Sequence, residues 1–510
     1  MPNFRPVERH LKFLAIDFEA QLLPGTFEHA VSVLVDEELD LTPFVETYRN
    51  DDTGAPAYHP GVLLKVILFG YSRGLISSRA IATACRQHVQ FMVLSGDSQP
   101  DFSTIAGFVS RHDKAIQALF TQVLMICERE GLIGGEMFAI DGVKLPSNAA
   151  KAKSGLREGF EREAEKIEKA VEKMVAEHRR QDAAKVEAEP AQAKKRLEKV
   201  SRMKAHAQEL RAWLKKNPED RIGASGKPVL SNRTDNQSAK MSTDKGVVQG
   251  YCAVAAVDEK HQIIVAAQAH GTGSEQALLP GMVEDLKPVL EPESVIVADA
   301  GYHSEANLAH LESEKIDAYI ADRGYRDRDE RYEGQAKHKA KDDALWDKSP
   351  KVPKKGRFAV SAFTVAKDRT HAVCPAGKKL YRSGANCNIG GQQAIKFKAA
   401  QGNCASCSMR PRCLRNPDQT SPRSIAVFVG RHANALERPI ERMRRKLDSE
   451  TGRQMITRRF ATVEPVFANL RYNKGLDRFT LRSRKKVQGQ WRLYCLVHNI
   501  EKLMKARYAE

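Results

Sequence analysis

The sequence predicts a mixed α/β protein in which a mixed β-sheet is flanked by helices. Three observations support this fold class. Residues 1–130 follow helical patterns, which predicts an all-α N-terminal domain. Short apolar runs that are typical of buried strands recur after residue 136. Two stretches interrupt that pattern, one charged and helical and the other polar and rich in cysteine, and each is predicted to be an insertion.

The composition favours a polyanionic partner and argues against two classes of protein. The 510 residues carry a formal net charge of +18 at pH 7, with a pI of about 9.4. Such a charge attracts polyanions, DNA among them. The nine cysteines are odd in number and unevenly spaced, unlike a secreted disulfide framework. The start of the chain lacks the apolar core of a signal peptide, and no apolar run reaches about 18 residues. We therefore expect a cytoplasmic protein without a membrane segment.

The N-terminal region, residues 1–130, is predicted to contain several short helices. Pro60 stands at a helix start, Gly74 ends that helix, and Ser77 or Ser78 caps the next one. Short helices joined by glycine-containing turns, in a basic chain, are compatible with a helix-turn-helix DNA-binding domain. The alternative is an ordinary helical bundle, because composition does not separate the two.

Two aspartates follow predicted buried strands. The apolar run 295–297 leads to Asp299, and the run 137–140 ends at Asp141. A carboxylate at the end of a buried strand is costly unless something compensates its charge. Each could be a turn or helix-cap residue, or a metal ligand at the carboxyl edge of the sheet. Two such aspartates in one chain favour a carboxylate pair across neighbouring strands.

The element order then predicts how the sheet is assembled. Strands at 247–257 and 262–267 form a hairpin, a helix follows at 274–287, and after the strand that precedes Asp299 come a helix at 303–313 and a strand at 317–321. Strand, hairpin, helix, strand, helix, strand is the order of a ribonuclease H-like fold. The predicted catalytic domain therefore comprises residues 131–150, 219–322 and 431–510.

The first insertion, residues 151–218, is predicted to be an antiparallel helical hairpin that turns near Pro190. Apolar residues spaced by four and three positions form a heptad seam that begins at Phe160. Its charged residues form a solvated face, to which we assign no chemistry. A role in dimerisation or DNA contact stays open.

The second insertion, residues 323–430, contains a candidate zinc knuckle. Its first part is very polar, and much of the stretch 324–357 is expected to be mobile. Cys404 and Cys407 are two residues apart, a spacing that suits tetrahedral zinc, and Cys374 and Cys413 could complete four thiolates. Cys387 is a substitute ligand. The alternative is a set of free thiols.

A third acidic residue, Glu464, adjoins the apolar face of a predicted helix in the basic C-terminal region. By itself it could be a surface ion-pair partner. Together with Asp141 and Asp299 it could hold two Mg²⁺ ions about 4 Å apart, with Mn²⁺ as a substitute. Such a site activates a water or a 3′-hydroxyl for in-line attack on a phosphodiester. We therefore expect the three carboxylates to converge.

Several stretches resemble a known family. They are 139–142 (Ala-Ile-Asp-Gly), 297–302 (Val-Ala-Asp-Ala-Gly-Tyr) and 461–467 (Ala-Thr-Val-Glu-Pro-Val-Phe), with 59–65 and 78–81 in the N-terminal region. Through these stretches the chain, apart from residues 322–357, resembles the DDE transposases of bacterial insertion sequences. The resemblance implies a ribonuclease H-like catalytic domain with Asp141, Asp299 and Glu464 as its catalytic residues. Helical and Cys-rich insertions also occur in part of this group.

The resemblance extends to basic residues around Glu464. Glu464 and Arg471 keep the family spacing, Arg459 supplies the preceding basic residue one position further away than usual, and Ile456 stands where the family commonly has tyrosine. The resemblance implies that Arg459 and Arg471 contact phosphates of the transposon end. Basic residues further along are expected to hold DNA by charge, namely Lys474, Arg482, Lys485 and Lys486.

The predicted function is DNA cleavage and strand transfer at the terminal inverted repeats of an insertion sequence. The partners are these repeats and a target DNA, and we expect a homodimer or higher multimer on DNA, associated with the nucleoid. One alternative is a catalytically inactive DNA-binding protein descended from a transposase. Another is a metal-dependent nuclease of the same fold that hydrolyses without joining.

Overall fold

The computed structural model describes residues 15–49, 56–183, 190–223, 226–243, 246–332, 358, 360–389, 392–414, 416–428 and 438–508. The chain divides into two compact units. One comprises Met1–Asp329 and Pro439–Glu510, and the other comprises Glu330–Arg438. Within the described ranges no helix has the length and apolar character needed to cross a membrane.

The N-terminal part of the first unit is helical, as predicted. Its helices are α1 (Phe27–Val33), α2 (Thr42–Val45), α3 (Pro60–Ser72), α4 (Ser78–Gln87), α5 (Val89–Ser95), α6 (Phe102–Arg111) and α7 (Asp113–Arg129). The predicted start signals are confirmed. Pro60 is the first residue of α3, and the Ser77 hydroxyl accepts a hydrogen bond from the Ala80 N–H at the start of α4.

The central sheet of the first unit contains six strands. They are β1 (Met137–Pro146), β6 (Ala239–Thr243), β7 (Gly246–Asp258), β8 (Ile264–His270), β9 (Val295–Ala298) and β10 (Asp317–Ile320), while β2 to β5 are two-residue strands outside this sheet (Ser154–Gly155, Arg221–Ile222, Pro228–Val229 and Ser231–Asn232). The strand order is β8-β7-β1-β9-β10, and β6 pairs with the first residues of β7. Strands β1, β9 and β10 are parallel, and β7 is antiparallel to β1 and to β8. The predicted mixed sheet with flanking helices is therefore confirmed.

Strand β1 differs from its prediction. It was expected to end at Asp141, but it runs on to Pro146. The reason is that β1 has two partners of different length. Its parallel pairing with β9 stops at Ile140, whereas its antiparallel pairing with β7 continues to Pro146. Asp141 is consequently at the end of the parallel pair and inside the antiparallel one.

The first insertion forms the predicted helical pair, α8 (Arg157–Ala183) and α9 (Pro190–Lys216). Phe160 and Ala164 of α8 pack against Leu210 and Leu214 of α9, so the two helices are antiparallel. Pro190 is the first residue of α9, a position that tolerates proline because no intrahelical partner is lost. The residues between the helices, 184–189, lie outside the described part.

Several helices pack against the sheet. Between β8 and β10 lie α10 (Leu279–Leu286) and α11 (Glu305–Ser313), α12 (Tyr325–Arg328) follows β10, and the C-terminal part adds helices at Pro439–Asp448, Glu450–Ala468 and Arg484–Arg507. The Glu450–Ala468 helix packs against β1 and β9. We call it the Glu450 helix, and the Arg484–Arg507 helix the C-terminal helix.

The C-terminal helix is a central element of the first unit. The Trp491 indole N–H donates to the Val254 carbonyl of β7 over 3.1 Å. The Asn499 side chain bonds both backbone polar groups of Ile264, and the Gln488 side chain bonds the Ala269 N–H and the Ala267 carbonyl. The Asn499 and Gln488 side chains occupy the edge of β8 that has no neighbouring strand among the described residues, and so they block strand pairing at these positions.

The second unit contains a five-stranded antiparallel sheet that was not predicted. Its strands, in spatial and chain order, are β11 (Thr364–Val365), β12 (His371–Val373), β13 (Lys379–Ile389), β14 (Gln392–Ala399) and β15 (Ser424–Phe428), with short helices at Gln401–Ala405 and Arg410–Cys413. Its small core includes Phe363, Leu380 and Phe397. The predicted mobile segment, 324–357, lies outside the described residues from 333 onward.

Candidate active site

Asp141 and Asp299 lie side by side at the carboxyl edge of the parallel strands. Ile140 of β1 is in register with Ala298 of β9. The next residue after each of them is an aspartate, so Asp141 and Asp299 are neighbours. The Asp141 side chain is 20% exposed and the Asp299 side chain is 47% exposed. The edge therefore offers two carboxylates, one half-buried and one open to solvent.

Arg459 of the Glu450 helix offsets part of the negative charge of this pair. Its guanidinium Nη2 lies 2.7 Å from Asp141 Oδ2, and its Nη1 lies 3.9 Å from Asp299 Oδ1. The Arg459 side chain is 3% exposed, and its Nε has no hydrogen-bond partner among the described residues. Burial raises the pKa of Asp141 to about 6, although the Arg459 guanidinium acts in the opposite direction.

Glu275 is a further carboxylate at this edge that sequence reasoning missed. Its Oε1 lies 3.6 Å from the Lys144 ammonium and accepts a hydrogen bond of 3.6 Å from Cys252 Sγ. Its Oε2 packs against Gly301, because a Cβ atom added to Gly301 would lie only 2.6 Å from this oxygen. Its negative charge also contributes to the raised pKa of Asp141. The only sequence signal was its position between a strand and a helix.

Tyr302 lies close to the same edge of the sheet. Its side chain is fully buried, and its hydroxyl has no partner among the described residues. A Cβ on Gly142 would lie 3.4 Å from this hydroxyl and 3.2 Å from Cys252 Sγ, so the strand passes close over both groups. Burial raises the pKa of Tyr302 well above its usual value, which keeps the phenol protonated.

Glu464 lies on the Glu450 helix, five residues after Arg459, and is exposed. This helix packs against β1 and β9, the strands that precede Asp141 and Asp299. In the described part of the chain, no group of three or more His, Cys, Asp or Glu side chains is arranged so that it could hold a metal ion. The structure thus brings the two aspartates together, while their convergence with Glu464 remains a prediction.

Two family models match the chain on either side of these aspartates. A model described as transposase domain (DUF772) matches residues 16–111, which include α1 to α6. A model described as transposase DDE domain matches residues 373–504, which include Arg459 and Glu464. Together these matches indicate a DDE-type transposase of an insertion sequence. A search of curated proteins found no match.

The predicted DNA-contact residues of the transposase differ in accessibility. Arg459 and Lys474 are turned inward, Arg459 to the aspartates and Lys474 to Glu501, which its ammonium approaches within 3.1 Å. Arg471 is half-buried. Three are exposed, namely Arg482, Lys485 and Lys486. Of these six residues, only Arg482, Lys485 and Lys486 are exposed in this arrangement.

The four candidate zinc ligands of the transposase border one cavity in the second unit. The cavity holds about 30 Å³ and is lined by Cys374, Cys404, Cys407 and Cys413. The Lys378 N–H donates to Cys374 Sγ over 3.4 Å. Burial raises the pKa of the Cys413 thiol, and charge on the other three thiols would raise it further. Cys387 lies on β13 and does not line this cavity.

Proposed function

We propose that the transposase cuts DNA at the ends of its insertion sequence and joins the freed 3′-hydroxyl groups to a target. The observation that carries this proposal is the register of β1 and β9, which places Asp141 beside Asp299. Their oxygens fit the donor set of Mg²⁺, which is commonly held by one or two carboxylates together with water. Glu464 would supply the third carboxylate from the Glu450 helix.

In this proposal the chain's own residues position the reacting groups. Asp141 and Asp299 would hold the cations on the edge of the sheet, and Asp299, the more exposed of the two, would be the more accessible to DNA. Two bound Mg²⁺ ions supply activation of the attacking oxygen and stabilisation of the leaving oxygen. The exposed Arg482, Lys485 and Lys486 would hold DNA phosphates by charge.

Other parts of the chain would serve recognition and assembly. We propose that the N-terminal helices bind the terminal inverted repeats and that a dimer or larger multimer pairs two DNA ends at the nucleoid. In the second unit, we propose that Cys374, Cys404, Cys407 and Cys413 bind one zinc ion. Their shared cavity supports this, although the thiols do not form a finished ligand set in the described arrangement.

The test is cleavage and joining of a DNA that carries the element's own ends, with Mg²⁺, for wild type and for Asp299→Asn. We expect wild type to cut and join and the variant to lose at least about 10²-fold in rate, since a preorganised electrostatic group has been removed. Asp285→Asn is a matched control, because Asp285 lies on α10 and its carboxylate bonds Gln268 instead of the edge pair.

Two results would replace the proposal. If wild type and Asp299→Asn both bind the ends and neither cuts, the chain is a DNA-binding descendant of a transposase. If wild type cuts without joining, it is a nuclease of the same fold.

A further inference from the structure

The Arg459 guanidinium lies where a cation shared by the aspartates would lie. It is 2.7 Å from Asp141 Oδ2 and 3.9 Å from Asp299 Oδ1, and it is almost fully buried. A buried guanidinium is stable only when its charge is paired. The two carboxylates supply that pairing, and the guanidinium in turn offsets part of the repulsion between them.

The Glu450 helix cannot point both Arg459 and Glu464 at the two aspartates at the same time. The two residues are five positions apart, which corresponds to about 140° around the helix axis. In this structure Arg459 faces the sheet and Glu464 is exposed. The absence of a finished ligand set among the described residues agrees with this placement, because the place beside Asp141 is taken by a positive side chain.

We propose that Arg459 is the resident counter-ion of Asp141 and Asp299 and that a divalent cation binds only when Arg459 is displaced. This inference rests on the proposed function. A cation and the guanidinium would use the same carboxylate oxygens. Their positive charges would then lie next to each other and repel. Binding of either one therefore weakens binding of the other.

The displacement also links cation binding to DNA binding. A guanidinium released from the pair has five N–H donors free and suits a phosphate group. A DNA phosphate that holds the released Arg459 would favour the state that binds the cation. By linkage, the cation would then strengthen DNA binding by the same factor.

The test is direct binding of Mn²⁺ to the full chain without DNA, measured as the loss of free Mn²⁺ signal in electron paramagnetic resonance. We compare wild type with Arg459→Met and with Arg458→Met. Arg458 is the matched control, because it is the adjacent arginine but pairs with Glu259 on the hairpin connection instead of with the aspartates. We expect Arg459→Met to bind Mn²⁺ about tenfold more tightly than wild type and Arg458→Met to bind as wild type does.

A second variant guards against a folding defect in Arg459→Met. Arg459→Lys keeps one positive charge but cannot span both carboxylates, so its affinity for Mn²⁺ should lie between those of wild type and Arg459→Met. Circular dichroism establishes that each variant is folded. Unchanged or weaker Mn²⁺ binding by the folded Arg459 variants overturns the inference, as does equal tightening in Arg458→Met.

Failure of the inference can be separated from failure of the proposed function. Asp299→Asn is measured in the same assay. If Asp299→Asn weakens Mn²⁺ binding and the Arg459 variants do not strengthen it, the metal site stands and the counter-ion role falls. If Asp299→Asn leaves Mn²⁺ binding unchanged, the metal site itself is refuted and the inference falls with it.

Discussion

At the scale of single residues, charges in the transposase are buried only where a partner is present. Arg459 is the clearest case, since its guanidinium is enclosed with Asp141 and Asp299. His498 of the C-terminal helix is a neutral counterpart. Its Nε2 lies 2.9 Å from the Gln262 carbonyl and its Nδ1 lies 3.1 Å from the Asn469 amide, so both ring nitrogens are used without a charge.

His498 predicts a loss of stability in mild acid. Burial lowers its pKa to about 4, so the folded chain keeps it neutral while the unfolded chain takes up a proton below about pH 6.5. Stability contributed by this group is therefore lost as the pH falls from about 6.5 towards 4. Between about pH 7.5 and about pH 5 the free energy of unfolding should fall by about 2 kcal/mol on its account.

The measurement is urea unfolding of wild type and His498→Gln at the two pH values. Glutamine can still donate to the Gln262 carbonyl but does not titrate. The variant should show the smaller fall, by about 2 kcal/mol. Equal falls in both proteins would contradict the assignment, because every other titrating group, including the buried His270, is common to the two.

At the scale of elements, the position of each polar group follows from where a strand or helix ends. Asp299 follows β9 directly, and the Ser304 hydroxyl caps α11 by accepting from the Asn307 N–H. In the second unit, Cys374 follows β12, and the other three thiols lie on or between the two short helices after β14. Because β12 and β14 are both antiparallel to β13, the segment after β12 and the segment after β14 lie at the same end of the sheet.

The cysteine cavity predicts that the purified transposase contains about one zinc ion per chain, since four thiolates form a closed tetrahedral site. Cys404→Ser should lose this zinc and lower the thermal stability of the chain, because metal binding contributes to folding. Cys387→Ser should retain it, because Cys387 does not line the cavity. The measurement is zinc content by inductively coupled plasma mass spectrometry. Zinc-free wild type, or equal loss in both variants, would leave the cysteines as free thiols.

At the scale of the whole molecule, the net charge of +18 overstates the charge that is available to DNA. Arg507 is engaged by Glu38 and Glu130, Lys474 by Glu501, and Arg459 by the aspartates. The Arg507 pairs connect the N-terminal region with the C-terminal helix, whereas Lys474 and Arg459 pair with carboxylates elsewhere in the first unit. The basic residues that remain open are therefore the ones expected to set the salt dependence of DNA binding.

Salt dependence provides the corresponding prediction. The double variant Lys485→Ala and Lys486→Ala should reduce the slope of log K against log salt concentration by about two, since each phosphate contact contributes about 0.9. Lys485 suits this test because its side chain is 62% exposed, although its ammonium is 3.0 Å from Asp113. Fluorescence anisotropy with a labelled DNA end measures the slope. Lys505→Ala, also an exposed lysine of the C-terminal helix, should leave the slope unchanged.

Local patterns in the sequence were enough to place the strands that precede Asp141 and Asp299, the N-terminal helix caps and the helical hairpin. Their signals act over a few residues, through the alternation of apolar side chains, proline geometry and capping hydroxyls. The family of the chain also followed from short motifs around these residues.

Local sequence patterns did not predict the contacts between residues that are far apart in the chain. The pairing of Arg459 with Asp141, the placement of Glu275 beside Gly301 and the extension of β1 along β7 all join segments that are far apart in the chain. The sheet of the second unit was missed because its longest strand, β13, is mostly polar and lacks the apolar run that predicts a buried strand. These features depend on packing and on the cost of leaving charges and strand edges unpaired, which arise only once the segments have met.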